Sequence, residues 1–411
     1  MRAFRSLSPW VFSALLLAAC GGGDPSVPGT GSPSGAPTTK GSFTAVVSFG
    51  DSLSDIGSYA PATSLAGAAG TPPFFGGKFT TNETSTGAPD ANPLGKVWVE
   101  NVAASLGIVV TPAEVGFAGS SVKCPAAAVP ALANSCTAYG QGGSRVTDPM
   151  GIGHNADGSG ALTVPMVTQI ANHLARFGSF KATDLIVILA GDNEAFTQLN
   201  IFGATAAQVQ AQAAAGQITA DQANQLLFQA QITAQTAMKL AAQELAGYIK
   251  TKILANGGKY VAVFNPIDLR ITPFYAGLAA SPATAPVAFV ASGLVDTFDL
   301  WLRDGLTGVP VQLIDLNPAV RAIAANPATF GFTHATTPAC DAAKIAAVTS
   351  GAITDGSSLF CNATPGAPYN GLRTGADVNT WLFADTVHPT TGGHVAFSTE
   401  ILKQLQAAGW I

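Results

Sequence analysis

The stretch VVSFGDSLSD, residues 46–55, runs an apolar segment straight into Ser52, and far along the chain FADTVHPTTGGH sets Asp385 three residues before His388. A serine hydroxyl is a weak nucleophile at neutral pH and needs an adjacent base. An imidazole takes that proton when a carboxylate orients its ring and stabilises the cation that forms. Ser52, His388 and Asp385 are therefore candidate nucleophile, base and orienting acid for acyl transfer. The reaction also needs donors aimed at the developing oxyanion, each worth about 3–4 kcal/mol. The Ser52 amide, a glycine amide from YGQGGS (139–144) and the Asn193 side chain in GDNE could supply three.

Each residue alone has a plainer use. Ser52 suits a helix N-cap, Asn193 suits a turn, the glycines could only bend the chain, and Asp385 with His388 could form a surface hydrogen bond. His154, His173, His334 and His394 are further candidates, but none of them follows an acid at comparable spacing in an equally polar loop. The plainer uses lose only when all the pieces are taken together, in this order. No G-x-S-x-G elbow occurs, which disfavours the other type of α/β serine hydrolase.

The elements that must position these residues are readable from periodicity. Residues 43–50, 184–191, 259–265 and 309–316 are short, apolar and rich in Val and Ile, as in buried strands. Helical patterns cover 96–107, 164–178, 219–256 and 285–306; the third opens on TADQ, a capping box, and closes on NGG. Strands alternating with helices predict a parallel sheet covered on both faces, in one α/β domain with insertions. Ligands of such sheets bind beyond the strands' carboxyl ends, where Ser52 and Asn193 fall. The Ala/Gln-rich segment 205–236 is expected as a helical excursion with Leu226, Leu227, Phe228 and Ile232 as its apolar stripe. It reads as scaffold, with a lid or substrate ledge as the alternative. Phe74, Phe75 and Phe79 read as packing under a long loop, with an acyl pocket as the alternative.

Of 411 residues 47% are hydrophobic and 10% charged, with net charge −5. A large core is available, and no basic patch for nucleic acid or polybasic segment for anionic lipid is present. Arg2 and Arg5 precede the apolar run 10–19, the pattern of an export signal over residues 1–19. LAAC (17–20) looks like a bacterial lipobox, which implies a lipid on Cys20. Gly21 after it implies delivery to the outer membrane. The Gly/Ser/Pro/Thr-rich stretch to residue 41 is expected as a disordered tether. Four cysteines remain, Cys124, Cys136, Cys340 and Cys361, an even number that suggests two disulfides in an exported chain. Three pairings exist, and the local ones, Cys124–Cys136 and Cys340–Cys361, are expected. No cysteine or histidine spacing suits a metal.

FGDSLSD, YGQGGS, GDNE and DTVH resemble, in order, the four signature blocks of the GDSL, or SGNH, family of serine esterases and lipases. NPIDLRITP (265–273) resembles a further family segment. The likeness runs from residue 43 to about 402 and is closest to secreted bacterial lipases, including the passenger domains of esterase autotransporters. It implies a flavodoxin-like three-layer α/β/α sandwich with a five-stranded parallel sheet and helical insertions over residues 42–411. It implies the catalytic set Ser52, Asp385 and His388, with oxyanion donors Ser52, Gly143 (rather than Gly142) and Asn193. The departures are Glu194 in place of the usual aspartate, and Gly140 with Gln141 in the second block. An exported, cofactor-free and metal-free monomer is expected, held to a membrane through its N-terminal lipid and cleaving carboxylic or lipid esters. A lipid acyltransferase and a non-catalytic lipid- or glycan-binding surface lipoprotein are the alternatives.

Overall fold

The computed structural model describes residues 27–63, 77–83, 95–364 and 370–411. Its strands are β1 (Ala45–Gly50), β2 (Thr111–Pro112), β3 (Glu114–Phe117), β4 (Ser120–Lys123), β5 (Cys136–Ala138), β6 (Asp184–Leu189), β7 (Tyr260–Phe264) and β8 (Gln312–Ile314). The helices are α1 (Ala60–Thr63), α2 (Trp98–Ser105), α3 (Met166–Phe177), α4 (Asp192–Ala214), α5 (Ala220–Tyr248), α6 (Pro273–Ala279), α7 (Ala285–Gly305), α8 (Asn317–Ala325), α9 (Ala342–Val348) and α10 (Thr391–Ala407).

The main sheet runs β2-β5-β1-β6-β7-β8, with every neighbouring pair parallel. It has six strands where five were expected; the extra one is the two-residue edge strand β2. The three-residue β5 was also missed, because Cys136 and Thr137 in CTA give no apolar run. β1, β6 and β7 are buried on both faces, as their unbroken apolar runs require. On one face Val47, Phe49, Ile186, Ile188, Val261 and Val263 pack against α3, α4, α5 and α7. On the other, Val46, Leu185, Val187, Ala262 and Phe264 meet α2, α8 and α10. These two cores make the three layers. Truncating Ile186 or Ile188, both fully buried, to Ala would cost about 2–5 kcal/mol.

α4 and α5 form a long antiparallel hairpin. α5 opens on the expected capping box: the Gln222 amide donates to Thr219 Oγ1, and the Thr219 amide to Gln222 Oε1. The expected apolar stripe is split, with Leu226 and Phe228 exposed and Leu227 packed on the core. α7 is apolar and long enough to cross a membrane by length and composition alone, but it packs along α5 as a core helix.

The expectation of a free tether fails for residues 27–41, which lie along the body at the sheet's amino-terminal edge. The Ser34 amide donates to Val309 O and the Gly308 amide to Ser32 O. The Gly41 amide donates to Trp410 O at 2.7 Å, and the Trp410 indole N–H to Pro37 O. Trp410 is fully buried against the ring of Tyr260, the first residue of β7. An apolar anchor at the chain's far end is what composition of the strap itself could not reveal. The expected signal segment, Cys20, Phe74 and Phe75 lie outside the described residues.

Both expected disulfides are present, Cys124–Cys136 with Cα atoms 5.3 Å apart and Cys340–Cys361 with 6.0 Å.

Candidate active site

β1 delivers the chain to its carboxyl edge at Gly50, where a Cβ would lie 2.7 Å from Leu189 O and from Ser54 Oγ. Only glycine fits there. Gln169 of α3 grips this residue from both sides: its Oε1 accepts the Gly50 amide at 3.0 Å, and its Nε2 donates to Gly50 O at 2.8 Å. The chain then enters a 3-10 turn, Ser52–Ser54, capped by Asp51, whose Oδ1 accepts the Leu53 amide. Ser52 thus stands on a turn fixed at strand, cap and helix.

Ser52 Oγ lies 2.9 Å from His388 Nε2. His388 Nδ1 faces Asp385, 2.8 Å from Oδ2 and 3.0 Å from Oδ1. The carboxylate also accepts the Val387, His388 and Ser358 amides. Its burial opposes ionisation, yet the neighbouring His388 charge and these hydrogen bonds outweigh it, so the carboxyl stays well below the usual range. An ionised Asp385 selects the tautomer with the proton on Nδ1, leaving Nε2 to accept from Ser52. Phe79 packs on the His388 ring at 4.8 Å between centroids.

The glycine loop resolves which amide is free. The Gly142 amide donates to Asp55 Oδ2 at 2.9 Å, so it is already spent. Gly143, at φ +78°, keeps its amide uncommitted among the described residues. Asn193, at the start of α4, donates from Nδ2 to Ser144 O at 2.9 Å; its second N–H remains available. Ser52, Gly142, Gly143, Asn193 and His388 line one cleft of about 1260 Å³. Its walls are mostly apolar, with Phe79, Phe117, Val122, Phe196, Phe274 and Leu359 among the residues that line it. None of residues 205–236 lines it, which agrees with their reading as scaffold.

Three buried carboxyls underlie the site. Burial pushes Asp192 and Glu194 up to about 7 and Asp51 well above its ordinary value. Glu194 accepts the Val146 amide at 2.6 Å and so holds the segment after the glycine loop. Burial holds His173 down at about 4 and His394 at about 3. Neither lines the cleft, and both are neutral packing residues: His173 stacks on Phe180, and His394 Nδ1 accepts the Trp98 amide. Among the described residues no group of His, Cys, Asp or Glu is arranged to hold a metal.

Sequence reasoning missed Asp55, Tyr59, Gln169 and Ser358. Their partners lie 27–119 residues away, beyond any local spacing. The second Asp of GDSLSD was the one signal at hand.

A hydroxyl, imidazole and carboxylate in hydrogen-bonded line, at the carboxyl edge of a parallel three-layer sheet, define a hydrolase-type site. The chain belongs to the GDSL-like Lipase/Acylhydrolase family, whose model matches residues 46–401. That membership supports ester hydrolysis as the general activity. A search of curated proteins found no match.

Proposed function

We propose that the protein is an exported serine hydrolase that cleaves carboxylic esters carrying an apolar acyl chain. The Ser52–His388–Asp385 line on the wall of a large apolar cleft is the observation that carries this reading. His388 Nε2 takes the Ser52 proton as Oγ attacks the ester carbonyl. The Ser52 and Gly143 amides and the free N–H of Asn193 hold the oxyanion. His388⁺ then protonates the leaving alcohol, and a water deprotonated by the same nitrogen releases the acid. Asp385 stays ionised throughout and stabilises the imidazolium.

The cleft exceeds the roughly 300–1,000 Å³ common for small-molecule sites, which favours medium or long acyl chains over acetate. Each buried methylene contributes about 0.8 kcal/mol, or roughly fourfold in kcat/KM. Export and a lipid on Cys20 are supported by the charged, apolar and LAAC segments of residues 2–20.

The test is hydrolysis of p-nitrophenyl esters from C2 to C16 by the full chain beside Ser52→Ala. A rise in kcat/KM with chain length that disappears in Ser52→Ala is expected. A parent inactive on the whole series refutes the proposal; equal activity in Ser52→Ala refutes its nucleophile. Membrane attachment is tested by Cys20→Ala, which should move the protein to the soluble fraction.

A further inference from the structure

The peptide joining Gly142 to Gly143 has no side chain of its own to hold it. With glycine on both sides and Gly143 at φ +78°, its plane resists rotation weakly. Turned over by about 180°, it would present a carbonyl oxygen where negative charge develops during acyl transfer.

Tyr59 opposes that rotation. Its hydroxyl donates to Gly142 O at 2.7 Å and accepts the Thr163 amide at 3.2 Å, so the direction of its single hydrogen is set. Gly142 C=O and Gly143 N–H belong to one trans peptide and point opposite ways. Holding the oxygen on Tyr59 therefore also fixes the direction of the Gly143 N–H, and both glycines line the cleft. A carbonyl that accepts a hydrogen bond also polarises its amide and strengthens the N–H as a donor. The preceding peptide is secured separately, through the Gly142 amide on Asp55. Asp55 in turn accepts the Gly57 and Ser58 amides, so the turn after the nucleophile and the glycine loop are one hydrogen-bonded unit. Tyr59 is 1% exposed. Burial pushes its hydroxyl well above the usual range, with the Asp55 charge adding, so it stays a donor at every working pH.

We propose that Tyr59 is a positioning residue for ester hydrolysis: its hydroxyl locks the Gly142–Gly143 peptide with the N–H toward the substrate's carbonyl oxygen. This rests on the serine-esterase reading above and adds what keeps the oxyanion donor facing inward.

Tyr59→Phe removes one oxygen and keeps the ring against Phe79 and Phe117. We would measure kcat and KM on one p-nitrophenyl ester, and inhibition by a trifluoromethyl ketone of the same acyl chain, which forms a tetrahedral oxyanion on Ser52. Expected for Tyr59→Phe are a 10–100-fold fall in kcat, a KM within about threefold, and a ketone Ki weakened by the factor lost in kcat/KM. Asp55→Asn should behave alike. The double variant should lose less than the product of the single losses, since both residues hold the same glycine. An unchanged kcat in Tyr59→Phe overturns the proposal, as does a kcat loss that leaves the ketone Ki unmoved. Strictly multiplicative losses overturn the shared action. An inactive parent refutes the esterase reading; an active parent with an equally active Tyr59→Phe refutes this inference alone.

Discussion

The Ser358 amide donates a 2.8 Å hydrogen bond to Asp385 Oδ2, the oxygen that His388 Nδ1 also approaches to 2.8 Å. Ser358 begins a short 3-10 turn that ends at Phe360, next to Cys361 of the Cys340–Cys361 disulfide. The carboxylate is therefore oriented partly by a loop that the disulfide pins. Replacing both cysteines, Cys340→Ser with Cys361→Ser, should lower stability by about 2–4 kcal/mol. It should also cut kcat by roughly tenfold with little change in KM, since only the imidazolium's partner is loosened. Urea unfolding and steady-state kinetics on the same preparation check both; a kcat equal to the parent's would separate the disulfide from the site.

Asn193 has one N–H committed to Ser144 O and one left for the cleft. Asn193→Ala should lower kcat by about 10²–10³ and leave KM nearly unchanged, the effect of removing one oxyanion donor. Asn193→Asp keeps the size but offers no N–H and adds a charge, so it should be at least as impaired. An Asn193→Ala variant as active as the parent would assign the oxyanion to the two backbone amides alone.

Glu194 gives a pH test of stability. Burial raises its folded-state pKa from 4.5 to about 7, so the folded protein binds an extra proton between those values. The stability this confers is present below about pH 4.5 and is lost as pH rises through 7. Glu194→Gln keeps an oxygen for the Val146 amide and removes the titration. Relative to the parent, Glu194→Gln should gain stability on going from pH 5 to pH 8, read from unfolding midpoints. A parent-to-variant difference that does not vary with pH would show that the carboxyl ionises freely.

The site's reacting groups were legible because their chemistry is written in residue type and local spacing. Asp385 and His388 are three residues apart, and Ser52 follows an apolar run whose direction fixes the edge it reaches. The strands that hold most of the core were legible for the same reason: β1, β6 and β7 are buried on both faces. The parts that hold the site together were not. Gln169 clamps Gly50 from 119 residues away, and Tyr59 reaches Gly142 across 83. Such contacts depend on how α3 and the post-nucleophile turn pack, which no periodicity encodes. Short edge strands escaped for a different reason: CTA and TP are too brief and too polar to register as strands. Residues 27–41 looked like a linker because their own side chains bury little; the apolar partner is Trp410.

That last contact has an engineering consequence. Gly41 and Trp410 are joined by a backbone hydrogen bond at the edge of the sheet opposite Ser52, so the segments on either side of the family-matched residues 46–401 meet beneath it. A short linker from Ile411 to Gly41 would close the backbone into a ring, and new ends could be cut into an exposed loop far from the cleft. A passenger attached after Ile411 would likewise hang below the sheet, leaving the mouth of the cleft open.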